Sequence, residues 1–168
     1  MKEVKTTTIY SEDIIKSFLR IFYFERIKNI RIILNILIVI LILYFFINID
    51  NSNILDYIAF IFALFGILEL NTNMIPSINY KRIKNKKNSI LNTKIKYIFK
   101  KNNFQITTDK DEYIDYDKLY KVINTKDAYY LYINKNRAFI VDKTNLKDED
   151  ITILNYKFKE KVPIYKEK

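Results

Sequence analysis

The chain has 168 residues, with 29 Lys/Arg against 19 Asp/Glu for a formal charge of +10, and it contains neither cysteine nor histidine. The first lack rules out disulfides and thiolate zinc sites; the second removes the commonest general base, the usual metal ligand and every Ser-His-Asp or Cys-His arrangement. The single glycine, Gly66, excludes a phosphate-cradling glycine-rich loop, so the composition argues against an enzyme and against any cofactor.

Length allows one membrane unit plus one small domain. Residues 1–94 hold 13 Lys/Arg and 7 Asp/Glu, residues 95–168 hold 16 and 12, so the positive excess is greatest beside the apolar part of the chain. Basic flanks of apolar spans are ordinary topology signals, which makes nucleic acid the poorer reading of the charge. Heavy use of Ile, Asn, Lys, Tyr and Phe matches AT-rich codons and points to a low-GC bacterial genome.

In chain order, Lys2–Tyr10 has strand composition. A lone strand cut off from the others must pair or stay disordered, and the only sheet on offer is built from residues 95–142, so this segment is expected to join it, the alternative being a frayed, charged N-terminus. Ser11-Glu12-Asp13 reads as an N-cap followed by acids in a first helical turn. Ile14, Phe18, Ile21 and Phe22 then recur at helical spacing, while Lys16, Arg20, Arg26, Lys28 and Arg31 supply positive charge. Such a segment suits either a membrane surface or packing on the protein's own domain. No cleavable signal peptide is expected, since the charged region is too long and no small-residue cleavage site follows.

Ile32–Ile49 and Ile54–Met74 are each near the roughly 20 apolar residues that cross a bilayer, and the four-residue link Asp50–Asn53 joins them. Leu37–Phe46 is apolar on every side, so the alternative of a buried hairpin in a soluble domain would need more protein around it than this chain supplies. The link holds no Lys or Arg; Lys16–Arg31 precedes the first stretch, and Lys81, Arg82, Lys84, Lys86 and Lys87 follow the second. The positive-inside rule then places both termini in the cytoplasm and the link outside. Arg26, Lys28, Arg31 and the five later basic residues are the expected contacts to anionic headgroups, or else serve as topology signals only. Ala59, Ala63 and Gly66 form a small-residue stripe on which helices can approach closely, unless the spacing is chance. Glu69 lies at a depth similar to Asn35, with Arg31 one turn away, which predicts an interspan polar contact among the three. A transport or proton-relay role for Glu69 is the sharper reading and a structural role the plainer one.

Asn73-Met74-Ile75-Pro76 is expected to mark the end of the second span, since Pro76 biases the preceding residue out of helix, and Ser77–Asn92 to form a basic, helical connector. From Ile95 the period becomes two. Strands are expected around Ile95–Phe99, Phe104–Ile106, Ile114–Tyr116, Tyr129–Ile133 and Ala138–Ile140, with turns at Lys101-Asn102-Asn103, Asp109-Lys110-Asp111 and Asn134-Lys135-Asn136. A final amphipathic helix opens with Asp148-Glu149-Asp150 and presents Ile151, Leu154, Phe158 and Val162 before Pro163. The expected fold is therefore a membrane α-helical hairpin plus an α+β cytoplasmic domain, an antiparallel sheet closed by a C-terminal helix. The expected divisions are 1–31, strand and basic helix; 32–76, hairpin; 77–94, connector; and 95–168, β-domain.

Tyr97-Ile98-Phe99, Phe104-Gln105-Ile106, the run Ile114–Val122, Tyr129–Ile133, Phe139-Ile140-Val141 and Lys147–Asp150 resemble the YcxB-like family of small bacterial two-span membrane proteins. The resemblance implies a pleckstrin-homology-like soluble part and brings no catalytic motif. The first functional expectation is a membrane-anchored interaction module with an unidentified protein or lipid ligand. The alternative is a small resistance, immunity or transport component acting through its spans. A carboxylate hydrolase built on Asp115 and Asp117, or on the acids near Asp148, competes poorly, because turns and caps already account for these residues.

Overall fold

The computed structural model describes every residue except Met1, Ser52, Asn88 and Asp109, and describes Asn51 by its backbone alone. The centre of the expected link at Ser52 and the first residue of the expected Asp109-Lys110-Asp111 turn lie outside the described residues. The chain divides into two compact units, Met1–Phe18 with Asn88–Lys168, and Leu19–Lys87.

The first unit is α+β. Its strands are β1 (Val4–Ile9), β2 (Lys94–Phe99), β3 (Asn103–Thr107), β4 (Asp111–Asp115), β5 (Lys121–Asn124), β6 (Ala128–Asn134) and β7 (Arg137–Asp142), joined late in the chain by β8 (Tyr165–Glu167). The expected pairing of the N-terminal segment is present: β1 runs antiparallel to β2, with Val4 opposite Phe99 and Ile9 opposite Lys94. Alternation dictates this register. Val4, Thr6 and Thr8 are buried on one face, and Ile95, Tyr97 and Phe99 on the same face of β2, while Lys94 and Lys96 stay outside.

The single sheet expected from the sequence is corrected to two, ordered β1-β2-β3-β4 and β7-β6-β5-β8. A short helical turn at Tyr116–Lys118 ends the first meander and starts a second. The unexpected β8 follows the last helix and pairs in parallel with β5. That helix, named α4 below, spans Asp148–Lys161. Its Phe158 is fully buried and meets Phe99 from one sheet edge-on, as well as Tyr129 from the other and Tyr116 between them. One such ring, removed from water, contributes about 1.5–3 kcal/mol, so α4 closes both sheets through a single apolar stripe.

β6 is buried on both faces from Ala128 to Tyr132. Tyr129 faces α4, and Tyr130 faces the other way, stacking on Phe18 at 5.8 Å and donating to Ser17 Oγ at 3.2 Å. Those two residues belong to the first turns of α1 (Glu12–Ile47), which starts as expected, Ser11 Oγ accepting from the Ile14 N–H.

The second unit is helical. It holds the rest of α1, a helical turn at Ile49–Asn51, α2 (Ile54–Asn71) and α3 (Met74–Lys84). α1 is continuous where a basic segment and a span were expected as separate pieces, because nothing between Glu12 and Ile47 breaks a helix. α2 opens on a capping box in which Asn53 Oδ1 accepts from the Leu55 and Asp56 N–H groups while Asp56 Oδ2 accepts from the Asn53 N–H. Its 18 residues rise about 27 Å, close to the hydrocarbon thickness of a bilayer. α1 and α2 are both long and apolar enough to cross a membrane. Among their large apolar side chains from Ile32 to Leu68, Phe45 is buried whereas Ile47, Ile54 and Phe62 are more than two-thirds exposed.

Two expectations on the C-terminal side of the hairpin are corrected. The break falls at Thr72-Asn73, before Pro76, which instead occupies the first turn of α3, where a missing N–H costs nothing. The connector is helical only as far as Lys84, since Asn85 caps it and the following Asn- and Ser-rich segment favours turns.

Candidate functional site

Three groups of residues in these units carry polar chemistry: the basic flanks of the helices, the polar positions between α1 and α2, and a set of buried hydroxyls, amides and lysines in the α+β unit.

Arg26 and Lys28 are exposed on α1, and Lys81, Arg82 and Lys84 are exposed on the last turns of α3, with Lys86 and Lys87 just beyond. Among the described residues none of these seven forms an ion pair, which leaves their charges available to an external anion. Those at the end of α3 also complement the negative end of its dipole. Arg31 is half-buried, its guanidinium 4.8 Å from the centre of the Phe24 ring.

The expected contact among Arg31, Asn35 and Glu69 is corrected. Asn35 pairs with Asn71, each amide donating to the other's oxygen, at 3.4 and 2.9 Å. Glu69 is exposed, and no hydrogen bond or ion pair joins it to Arg31 or Asn35. Asn71, two residues further along α2, is the side chain that reaches Asn35. A neutral amide pair also satisfies both partners without desolvating a charge.

Nearer the link, Ala63 is buried, and a Cβ at Gly66 would come within 3.3 Å of Ile38 Cδ1, so two members of the small-residue stripe do face α1. Ala59, the third, lines a groove of about 210 Å³ with Tyr44, Phe45, Asn48, Asp56 and Phe60. Phe45 and Phe60 stack at 4.4 Å. Nothing in the periodicity marks this groove, which exists only because aromatic side chains of both helices meet there.

In the α+β unit a closed ring of hydrogen bonds links the two sheets. The Ile140 N–H donates to the Tyr10 hydroxyl at 3.1 Å, and the Tyr97 hydroxyl donates to the Ile140 carbonyl at 2.9 Å. With its proton so engaged, Tyr97 receives the Tyr10 O–H across 3.3 Å. One strand step away the Asp142 N–H donates to Thr8 Oγ1 at 2.9 Å. The outer edge of β7 is thereby satisfied by side chains of β1, β2 and the Tyr10 position. Burial pushes the Tyr97 hydroxyl well above the ordinary tyrosine range and raises that of Tyr10.

A second network holds α4 and β8 on the other sheet. Tyr129 and Tyr165 donate to Asn155 Oδ1 at 2.8 and 3.1 Å, and Asn124 donates to Tyr165 and to the same Asn155 oxygen. Lys143 donates to Asn124 Oδ1 and to the Thr125 carbonyl, its ammonium 4.3 Å from the Tyr129 ring, and burial lowers its pKa. Lys157, fully buried on α4, donates to the Lys100 and Phe99 carbonyls at 2.9 and 3.4 Å. Lys161, one turn on, donates to the Lys101 carbonyl at 2.8 Å, so two lysines grip the β2–β3 turn.

Some of the acids considered for hydrolysis are held in ion pairs. Asp115 pairs with Lys118 at 2.7 Å, and Lys2 reaches Glu149 and Asp150 at 3.2 and 3.4 Å in the first turn of α4. Among the described residues no group of three or more acids is placed to hold a metal ion.

These features define a class: a small protein in which a two-sheet α+β unit, assembled from both ends of the chain, encloses in sequence a pair of apolar helices. Residues 99–154 match the family model of the YcxB-like proteins, so the resemblance read from the sequence holds over that segment. No curated protein and no solved structure matches the chain.

Proposed function

We propose that this chain is a membrane-anchored interaction module. α1 and α2 cross the bilayer twice, both termini lie in the cytoplasm, and the α+β unit presents a pleckstrin-homology-like domain to a protein or lipid ligand at the inner leaflet. One observation carries this reading. β1 precedes the apolar helices and β2 follows them, yet the two strands are hydrogen-bonded neighbours. A sheet cannot be divided by a bilayer, so the chain must return to the side it left, which requires an even number of crossings. Two helices of sufficient length supply it. The absence of Lys and Arg from the link, against the basic residues on α1 and α3, supports the cytoplasm as the common side. Those basic residues draw anionic headgroups at about 1 kcal/mol for each charge near the surface.

Because the chain has no cysteine, single cysteines introduced at Ser52 and Ser89 can be read against a silent background. In intact cells a membrane-impermeant maleimide is expected to label Ser52→Cys and not Ser89→Cys. Labelling of the second variant in intact cells refutes the topology.

A further inference from the structure

The groove between α1 and α2 holds chemistry that anchoring does not use. Its walls are aromatic. Phe45 is stacked on Phe60 and meets Tyr57 edge-on at 5.1 Å, which fixes the rings before any ligand arrives. Tyr44 supplies a third ring at the groove, and this one is largely exposed.

The site carries a carboxylate that meets one backbone N–H. Asp56, half-buried, lines the groove and uses Oδ2 to accept the Asn53 N–H at 2.9 Å; no ion pair reaches it among the described residues. Between Arg31 and Lys81 the sequence holds Asp50, Asp56 and Glu69 and not one Lys or Arg. Asp56 sits in the first turn of α2, where the positive end of the helix dipole favours a carboxylate. A carboxylate in so apolar a setting gains from a cationic partner.

The donor set selects the kind of cation. One carboxylate and one side-chain amide are too few oxygens for Ca²⁺ or Mg²⁺. Ring faces beside a carboxylate instead suit an organic ammonium, whose charge is spread over carbon and needs no full hydration shell. We propose that the groove lined by Tyr44, Phe45, Asp56 and Phe60 is a binding site for a small organic cation, a tertiary or quaternary ammonium with an apolar body. The aromatic walls take the alkyl groups, and Asp56 Oδ1 faces the charge.

Isothermal titration of benzyltrimethylammonium into the full chain in detergent tests this. Saturable binding at one cation per chain is expected. Asp56→Asn keeps an oxygen for the Asn53 N–H and so retains the helix start; it is expected to weaken binding at least tenfold. Ala59→Phe, which fills the groove, is expected to do the same. Glu69→Gln removes an equal charge outside the groove and is expected to leave the affinity unchanged. A groove that takes an acyl chain or a second hairpin gives no saturable heat with this cation. That result, or equal affinity in Asp56→Asn, overturns the proposal.

Discussion

Replacing Tyr97 by Phe removes one oxygen from the ring of hydrogen bonds that joins the two sheets, and leaves every carbon in place. Tyr97 is completely buried, so water cannot take over its role. The Ile140 carbonyl loses its 2.9 Å donor, and the Tyr10 hydroxyl loses the acceptor at 3.3 Å. Leaving a buried polar group unpaired costs about 1–3 kcal/mol. For a unit near 100 residues each kcal/mol shifts Tm by roughly 4–8 °C. The mean of that range, about 2 kcal/mol, thus predicts a fall of roughly 8–16 °C in a melt followed by the sheet signal in circular dichroism.

The cycle with Tyr10→Phe sharpens the test. Tyr10→Phe orphans the Ile140 N–H and removes the proton given to Tyr97. Both single variants lose the Tyr10–Tyr97 bond, which the double variant loses only once. The double variant should therefore be less destabilised than the two singles added together, by about 0.5–1.5 kcal/mol. Additivity, or a Tyr97→Phe variant within about 0.5 kcal/mol of the parent, refutes the ring as a structural tie.

Alkaline pH should open the α+β unit. Burial raises the Tyr10 and Tyr97 hydroxyls and takes Tyr165 to about 12, against 10.0 for an ordinary tyrosine. Folded-state values above unfolded ones give stability that is fully present below pH 10.0 and is lost as the pH climbs toward about 12 and beyond. Phenolate absorbance of the buried tyrosines should rise together with loss of the sheet signal; ionisation of all 14 tyrosines with that signal intact contradicts it. Lys157 acts in the opposite sense. Burial lowers its pKa beneath 10.5, so the unfolded chain binds the extra proton and this contribution to stability grows as pH rises toward 10.5. Lys157→Met should flatten that rise in urea midpoints measured between neutral pH and the onset of tyrosine ionisation, and an unchanged slope excludes the assignment. In the helical unit, Gly66→Leu must push Ile38 aside and should loosen the α1–α2 pair by about 1–3 kcal/mol in detergent unfolding, with Gly66→Ala much milder because only the end of a flexible side chain is met. Equal effects of the two substitutions would place the glycine away from the helix contact.

The sequence by itself determined the elements whose signal is local. Two uninterrupted apolar runs declare helices of spanning length, and the period-two burial of Ile95, Tyr97 and Phe99 declares a strand and its inner face. The place of β1 followed from a rule almost as simple, that strand-forming backbone needs a neighbour and only one sheet was on offer. The unexpected β8, the division into two sheets and the choice of Asn71 as the partner of Asn35 needed the tertiary structure. Each depends on rotation and edge placement, which a periodicity does not carry: Glu69 and Asn71 are two residues apart on α2, and only the packed helices decide that Asn71 is the one that meets Asn35. The same holds for Lys157. On the helical wheel it is a cation within an apolar stripe, and only the β2–β3 turn, folded against α4, supplies the carbonyls that allow it to be buried.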